Sequence, residues 1–433
     1  MWAPDTKERP LPEPDELCAR YDPYDADVRR DPYPFYEAMR ARCPVHYNAR
    51  FNLHTASRWD TVVELFRRAD TYSSTQGPGP EPFLDLAAMG FLALANADQP
   101  LHSKQRKLVN WAYTPRRVAS LEPVVEAISH DLINGFCARG SAELVSEYCF
   151  QLQVISAAEL FGIPPSDREK LKDWTRRLVD GLTGDMDKMG AALNSMMEFG
   201  AYILEKANER KAMLASGETP PDDLLSGLVE AEIDGEKLDD MELVMIAMQV
   251  VNGGESTIGM LANIVHLLCT HPAERAKLDA NHDLIDNVVE EVLRFEAPIQ
   301  GLCRTAREGA EIEGRPIPAG ARVLGLFASA NRDPEHWGDD ADQFRIDRDL
   351  HQLRTHLSFG TGIHFCVGAS LARLQGQVAL RHFLERLPDF ALDETQPPVL
   401  RDDPLFFRGW HRLPITFTPT PVRAVELAGA VEK

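Results

Sequence analysis

The chain has 433 residues, of which 44% are hydrophobic and 26% charged, a composition typical of a globular protein with a sizeable core. The formal net charge of −21 argues against a general nucleic-acid partner, because phosphate binding needs a basic surface. No stretch approaches the roughly 18 consecutive apolar residues of a membrane helix, and the start lacks the apolar core of a secretory signal. We therefore expect a cytoplasmic protein without a membrane anchor.

The cysteines are informative about the redox environment. The seven cysteines are scattered, odd in number and without paired spacing. This usage favours reduced thiols in a cytoplasm over a disulfide framework. Six of them are expected to be ordinary core or surface residues, and the remaining one lies in a distinctive motif.

The first part of the chain predicts mixed structure. Residues 1–25 predict a loose lead-in rich in proline and acids. A short helix is predicted from Tyr33 to Arg42, followed by a strand-like run that starts at Val45. Residues 75–82 contain too many turn formers for a regular helix.

The rest of the chain is predicted to be mainly helical, with small sheets late in the sequence. Residues 101–217 have a helical period, interrupted by prolines and glycines. Residues 306–329 and the C-terminal residues after about 389 read as short strands and turns. The sequence contains no internal repeat and no low-complexity linker between domains.

Residues 359–373 form the most informative segment, Phe-Gly-Thr-Gly-Ile-His-Phe-Cys-Val-Gly-Ala-Ser-Leu-Ala-Arg. A helix is predicted at 369–387, so Cys366 lies at or just before its N-terminus, where peptide N–H groups and the helix dipole favour a thiolate. Gly360 and Gly362 leave room for a flat ligand against the main chain. Taken alone, the segment is compatible with a structural thiol, a reactive nucleophile or a thiolate ligand to haem iron.

This segment resembles the haem-binding loop of cytochromes P450. The phenylalanine, the two glycines, the histidine, the cysteine, the third glycine and the trailing Leu-Ala-Arg are all in place. The strings Ala-Asn-Arg-Asp-Pro at 330–334 and His-Leu-Ser-Phe at 356–359 are also similar to bacterial members. The resemblance covers nearly the whole chain, from about residue 31 to about residue 418.

The resemblance implies the cytochrome P450 fold, a single triangular domain that is mostly α with minor β. The haem is expected between a long central helix at about 240–270 and the helix that follows the cysteine loop. We expect an N-terminal lead-in at residues 1–30, a haem domain at 31–418 and a C-terminal tail at 419–433.

The predicted central helix contains the run Asn-Gly-Gly-Glu-Ser-Thr at 252–257. Asp239 or Asp240 can cap this helix of about 30 residues, which would be roughly 45 Å long. Two glycines in a helix interior cost roughly 1 kcal/mol each relative to alanine. The run indicates either a loosened helix that admits O₂ and relays protons, or a glycine pair required only for packing.

By resemblance, Glu255 and Ser256 are the acid–alcohol pair on the distal face of the haem, and both are candidate catalytic residues. The family usually has threonine at the position of Ser256 and commonly alanine or glycine at that of Asn252. Thr257 is therefore a second candidate for the catalytic hydroxyl.

Glu291 and Arg294 are spaced i, i+3 and can form an ion pair on one helix face. Taken alone, such a pair is usually a surface feature. The resemblance implies that this pair is buried and braces the segment before the cysteine loop. Its predicted role is structural.

The resemblance also implies the binding residues. The predicted haem-binding residues, including partners of the propionates, are His102, Arg106, Arg304, Phe359, His364, Cys366 and Gly368, with Cys366 as the iron ligand. The predicted substrate pocket is lined by Phe83, Phe91, Leu92, Met248, Val251, Asn252, Ile299, Leu302, Phe406 and Phe407, although such apolar residues are more often plain core.

The implied function is that of a monomeric haem-thiolate monooxygenase with haem b and O₂ as cosubstrate. It inserts one oxygen atom into a hydrophobic small molecule of secondary metabolism or catabolism, by hydroxylation or epoxidation. The two electrons are expected to come from NAD(P)H through a ferredoxin reductase and a ferredoxin, because the chain has no flavin or iron–sulfur motif. A basic cluster is either the binding site of the ferredoxin or an ordinary charged helix face. It consists of Lys104, Arg106, Lys107, Arg116 and Arg117. A peroxide-driven peroxygenase and a non-catalytic haem sensor are the alternatives.

Overall fold

The computed structural model describes residues 13–79, 92–181, 186–233, 235–401 and 407–424. Helices predominate in these residues. They are α1 (Pro14–Arg20), α2 (Ala26–Arg30), α3 (Tyr33–Arg42), α4 (Trp59–Arg67), α5 (Leu101–Asn110), α6 (Pro115–Ser120), α7 (Glu122–Asn134), α8 (Phe150–Phe161), α9 (Arg168–Asp180), α10 (Met186–Ser216), α11 (Leu224–Glu230), α12 (Asp240–Asn252), α13 (Glu255–Thr270), α14 (Pro272–Ala280), α15 (Ile285–Phe295), α16 (Phe327–Ala330), α17 (Pro334–Trp337), α18 (Leu350–Leu353) and α19 (Ala369–Arg386). The predicted helix at the position of α3 is confirmed, and so is α19, which ends one residue before the predicted end.

The strands of the described residues are short. They are β1 (Val45–Asn48), β2 (Leu53–Ala56), β3 (Tyr72–Ser73), β4 (Ser141–Glu143), β5 (Glu232–Ile233), β6 (Glu236–Lys237), β7 (Leu302–Ala306), β8 (Ala310–Ile312), β9 (Arg315–Ile317), β10 (Arg322–Gly325), β11 (Ala391–Leu392), β12 (Val399–Arg401), β13 (Gly409–Arg412) and β14 (Pro414–Thr416). The largest sheet has the order β1-β2-β10-β7-β3, in which β10 runs parallel to β2 and antiparallel to β7. The largest hydrophobic cluster lies among the helices between α5 and α19. The predicted mostly helical fold with small sheets is confirmed, but the expectation that these sheets lie late in the sequence is wrong for the largest one, because β1, β2 and β3 precede residue 74.

The described part of the N-terminal segment is folded. Leu17 and Cys18 of α1 are buried and share a hydrophobic cluster with Met39 of α3. The expectation of a loose lead-in is therefore wrong for residues 13–25. Burial of apolar side chains against α3 provides the stabilisation that the local composition did not suggest.

Cys18 and Cys43 are joined in a disulfide bond, with their Cα atoms 6.5 Å apart. The expectation of reduced thiols is wrong for this pair. Packing of α1 against α3 brings together two cysteines that are 25 residues apart in sequence. The spacing of cysteines in a sequence does not predict which of them lie close enough in space to form a disulfide bond.

The predicted central helix is two helices, α12 and α13, that meet at Gly253 and Gly254. Asp239 caps α12, as expected for one of the two candidate caps. A Cβ atom at Gly254 would lie 1.5 Å from the side-chain nitrogen of Gln153 on α8. The missing side chain therefore lets α8 pack against the break. The break agrees with the interpretation of a loosened helix, and the close approach of Gln153 agrees with that of a glycine required for packing. The prediction of one continuous helix is wrong.

Glu291 and Arg294 of α15 form an ion pair with both side chains fully buried, and Arg294 Nε donates to Glu291 Oε2 over 2.6 Å. Arg294 also donates to the main-chain carbonyls of Asn331, Ala341 and Gln343. The pair thus ties α15 to the segment that leads to the cysteine loop. This geometry agrees with the structural interpretation and excludes the surface ion pair.

His382 of α19 is a buried histidine that links this helix to α7. Its Nδ1 atom lies 2.8 Å from the hydroxyl of Ser129, and its ring lies 4.0 Å from that of His130. Burial, together with the neighbouring His130, lowers the pKa of His382 to about 4. Because this pKa lies below the usual value of about 6.5, the neutral ring contributes stability that is complete above about pH 6.5 and lost towards pH 4.

We expect His382→Gln to lose less stability than the wild type when the pH falls from about 7 to about 5, because the variant has no ring to protonate. Urea unfolding of the holoprotein at the two pH values measures this difference. His282→Gln, at an exposed position, is the control and should follow the wild type. Equal losses in His382→Gln and the wild type would contradict the titration.

A helix must be both long and apolar to cross a lipid bilayer. In the ranges that the structure covers, every helix is too short or too polar to traverse a membrane.

Candidate active site

A cavity of about 300 Å³ lies between the helix break and the cysteine loop. Gly253 and Gly254 line it from the break, and Gly360, Cys366 and Gly368 line it from the loop. Two elements that are far apart in sequence therefore share one cavity. This places the predicted iron ligand within reach of the predicted distal helix.

Cys366 lies in the wall of the cavity, just before α19 begins at Ala369. Burial raises the pKa of its thiol, whereas the N–H of Gly368 and the guanidinium groups of Arg106 and Arg373 act in the opposite direction. The predicted position at a helix N-terminus is confirmed. The N–H groups and cations around the sulfur are those that stabilise a thiolate.

The cysteine loop has a conformation that needs its glycines. Gly360 and Gly362 have φ angles of +68° and +72°, a region that is strained for residues with a side chain. A Cβ atom at Gly362 would also lie 2.5 Å from the main-chain oxygen of Phe66. The main-chain N–H of Cys366 donates to the carbonyl of Phe359 over 2.9 Å, which closes the loop. These contacts fix the sulfur in the cavity wall.

Four basic residues from three separate segments line the cavity together: His102 and Arg106 of α5, Arg304 of β7, and His364. The rings of His102 and His364 are 4.2 Å apart. Burial lowers the pKa of Arg304 to about 10, and burial together with the charge of Arg304 lowers that of His364 to about 3. Within the described ranges, Nδ1 of His102 is buried without a hydrogen-bond partner.

This cluster fits an anionic group, because an anion would partner the orphaned nitrogen and compensate the positive charges of Arg106 and Arg304. The two propionates of haem are such groups. The residues present therefore fit the haem that the resemblance implies, with Cys366 as the axial ligand. Phe359 and Gly368 also line the cavity, as predicted for haem-binding residues.

The three predicted catalytic residues differ in their surroundings. Ser256 and Thr257 line the cavity, and the Ser256 hydroxyl donates to the carbonyl of Gly253 over 3.2 Å. Glu255 is not among the lining residues. Its carboxylate forms an ion pair with Arg401, and the two side chains are 10% and 9% exposed. The acid must therefore leave Arg401 before it can exchange a proton with the cavity.

The predicted substrate pocket is only partly correct. Ile299 and Leu302 line the cavity. Met248 and Val251 belong instead to the helical core, where Met248 faces Gly200 of α10. Because α12 is apolar on several faces, the sequence does not reveal which of its residues face a cavity.

Two further pocket predictions do not hold. Leu92 does not line the cavity, and its carbonyl accepts a hydrogen bond from Gln105. Phe407 forms an isolated β-bridge with Ile299 and lies near the guanidinium of Arg401, so it faces a neighbouring, smaller cavity. The remaining predictions, Phe83, Phe91, Phe406 and the side chain of Asn252, lie outside the described residues.

Sequence reasoning missed several residues that line the cavity. Gln249 and Val250 lie between the two incorrect α12 predictions, and Leu94 and Ala95 follow the incorrect Leu92. Gln153 of α8 also lines the cavity. The glutamines were detectable as polar residues within apolar helical runs, but no spacing rule distinguishes such residues from polar residues on a solvated face.

The basic cluster predicted for a redox partner is largely engaged within the protein. Arg106 lines the cavity, Lys104 pairs with Glu236, and Arg117 pairs with Asp222. The exposed members are Lys107 and Arg116. The prediction of a five-residue basic surface is therefore wrong, because acidic residues distant in sequence neutralise part of it.

Comparisons with known proteins agree with this site. The family model described as cytochrome P450 matches residues 178–408. The vitamin D(3) 25-hydroxylase of Pseudonocardia autotrophica is 34% identical over 407 residues, which cover 92% of this chain and 97% of that protein. The steroid C26-monooxygenase of Mycolicibacterium smegmatis is 33% identical over 395 residues, which cover 90% of this chain and 94% of the relative.

The fold has matching solved structures. Cytochrome P450 CYP109Q5 from Chondromyces apiculatus superposes with a TM-score of 0.82 and 32% sequence identity, covering 92% of this chain and 98% of that one. The family implies haem and O₂, and its members normally need redox partners. With the thiol, the basic cluster and the helix break at one cavity, the chain belongs to the cytochrome P450 family and is a cytochrome P450 monooxygenase.

Proposed function

We propose that the protein inserts one atom of O₂ into a hydrophobic small organic substrate, by hydroxylation or epoxidation, with two externally supplied electrons. The observation that carries this proposal is the single cavity shared by Cys366, Ser256 and Thr257. The relatives named for the oxidation of vitamin D(3) and steroids support a substrate of lipophilic character. We further propose residues 31–418 as the haem domain.

The residues of this chain divide the work between binding and proton transfer. Bound haem with a thiolate ligand supplies the reductive activation of O₂. With haem bound, Cys366 would supply the thiolate ligand, and His102, Arg106, Arg304 and His364 would bind the propionates. The helix break at Gly253 and Gly254 lines the same cavity.

Proton delivery involves the first turn of α13. Once its ion pair with Arg401 has opened, Glu255 takes up a proton, and the hydroxyl of Ser256 or Thr257 passes it into the cavity. Ile299 and Leu302 contribute apolar surface that contacts the substrate and excludes bulk water. Protons therefore reach the cavity through the hydroxyls of Ser256 and Thr257.

The electrons are proposed to come from NAD(P)H through a ferredoxin reductase and a ferredoxin. The exposed Lys107 and Arg116 are proposed to contribute to the binding of an acidic ferredoxin, since local charge acts within a Debye length of roughly 8 Å. The net charge of −21 makes such a local basic site necessary for an acidic partner.

The test is turnover with isotopically labelled dioxygen in the presence of NADPH and a surrogate ferredoxin system. We expect one labelled oxygen atom in the product of a lipophilic substrate such as testosterone, or of another member of a steroid and terpenoid panel. The absence of labelled product from every substrate that shifts the iron spin state would contradict the proposal. Equal turnover with hydrogen peroxide alone would favour a peroxygenase.

We expect alanine substitution of the relay hydroxyl, at Ser256 or Thr257, to lower product formation by roughly 100-fold while NADPH oxidation continues. A roughly 100-fold loss is the lower end of the usual effect of removing a general acid. The electrons from NADPH then reduce O₂ to hydrogen peroxide instead of forming product. Product and peroxide are measured per NADPH consumed. Thr270→Ala, at the far end of α13, is the control. Unchanged coupling in both variants would remove the hydroxyls from the mechanism.

A further inference from the structure

Residues 93–96 form a short segment beside the cavity, in which Ala93 is the N-cap of the 3-10 helix Leu94–Asn96. Leu94 and Ala95 line the cavity wall. Leu94 is 7% exposed and has a φ angle of +36°. A leucine rarely has a positive φ, and such strain persists only where the surrounding structure holds the residue in place. The structure therefore contains a fixed apolar side chain at the wall of the site.

Two glutamines hold this segment. Gln249 of α12 accepts a hydrogen bond from the N–H of Ala95 over 3.0 Å, and its amide donates to the carbonyl of Ala93 over 2.7 Å and to the side chain of Asn96 over 3.1 Å. Gln105 of α5 accepts from the N–H of Leu94 over 2.8 Å. Each of the first three residues of the segment is thus bonded through its main chain to one of these glutamines.

The second glutamine is itself immobilised. Gln105 is fully buried, and its amide also donates to Glu242 of α12 over 3.1 Å. It lies on α5, the helix that carries His102 and Arg106. The segment is therefore fixed relative both to α12 and to the helix whose basic residues fit the haem.

We propose that Gln105 and Gln249 are positioning residues that hold Leu94 as a fixed apolar wall of the active site, and that Leu94 determines which part of a hydrophobic substrate faces the iron. This inference rests on the proposed function. It also narrows the class of substrate. The part of the substrate that contacts Leu94 must be a hydrocarbon surface, either aliphatic or aromatic. A polar group there would be desolvated without a partner.

Two iron ligands of different size test the wall in the holoprotein without a known substrate. Both ligands bind haem iron through the imidazole nitrogen, and N-phenylimidazole carries an additional apolar ring that extends farther into the cavity that Leu94 lines. Difference spectroscopy gives the Kd of each ligand from the shift of the Soret band. The preference, defined as the Kd of imidazole divided by that of N-phenylimidazole, measures the apolar wall.

We expect Gln249→Leu to lower this preference by about tenfold, because the freed segment no longer presents Leu94 at a fixed position. The Kd of imidazole itself should stay within about twofold. Gln377→Leu is the matched control, since this half-buried glutamine of α19 also bonds between helices, to Asp286 over 2.8 Å, but does not line the cavity. An unchanged preference in Gln249→Leu would overturn the inference.

Leu94→Ala provides a second test that leaves both glutamines in place, in case Gln249→Leu does not fold. It should lower the preference to a similar extent, and an unchanged preference would again overturn the inference. Failure of the proposed function has a different signature, the absence of labelled product in the turnover test with isotopically labelled dioxygen. The ratio of the two Kd values does not depend on that result, because it requires only haem that binds both ligands.

Discussion

Replacing Arg294 by alanine is expected to destabilise the protein by about 3–5 kcal/mol, the usual cost of removing one partner of a buried ion pair. The fully buried carboxylate of Glu291 would keep only Arg348 and the N–H of Arg345 as partners. The main-chain carbonyls of Asn331 and Ala341 would lose their donor, and that of Gln343 would keep only Arg348. Unfolding by urea, followed by circular dichroism of the holoprotein, measures the loss.

The contacts of Arg294 also predict where the damage appears. The segment that it braces leads into the cysteine loop, so haem retention should fall together with stability. Arg68→Ala is the control, because Arg68 pairs with Glu64 over 2.8 Å on the surface with its side chain 46% exposed. Such a pair contributes less than about 1 kcal/mol. Equal stabilities of the two variants would contradict the bracing role.

The second large effect is expected at Cys366. Cys366→Ala should abolish O₂-dependent product formation. Loss of a residue that only supports a metal ligand can lower activity by roughly 100-fold, and loss of the ligand itself should lower it further. The reason is that alanine provides no axial thiolate, whereas the basic cluster that fits the propionates is unchanged. Product formation per haem is measured by chromatography after turnover with NADPH and a ferredoxin system.

Cys269→Ala is the control for this prediction. Cys269 is a half-buried free cysteine of α13 whose sulfur contacts the carbonyl of Phe390. It should keep turnover close to that of the wild type. Turnover by Cys366→Ala at a rate comparable to this control would show that another residue provides the catalytic ligand.

The sequence predicted the parts of the fold and site that depend on local patterns. The α3 helix follows from a local apolar period, and the position of Cys366 before α19 follows from the glycine-rich run and the helix after it. The Glu291–Arg294 pair follows from its i, i+3 spacing. In each case the determining residues are neighbours in sequence.

The parts that were missed depend on contacts between distant segments. The disulfide between Cys18 and Cys43 requires that α1 pack on α3. The pairing of Glu255 with Arg401 joins α13 to β12, and no pattern around either residue predicts it. Tertiary packing also decides which faces of α12 line the cavity, because hydrophobic residues occur on several of them.

The substrate wall shows the same limit. Leu92 was predicted to line the pocket, but the residues of this part of the chain that line the cavity are Leu94 and Ala95. Gln105 and Gln249, which lie on helices distant in sequence, hold these residues in place. The positive φ angle of Leu94 cannot be predicted from residue propensity.

Ligation of haem iron by the Cys366 thiolate is measured by the absorption spectrum of the reduced, carbon-monoxide-bound holoprotein. We predict a strongly red-shifted Soret band in the wild type, which is lost in Cys366→His. A Soret band of the histidine-ligated kind in freshly prepared, intact wild-type protein, or a protein that binds no haem, would show that Cys366 is not the iron ligand.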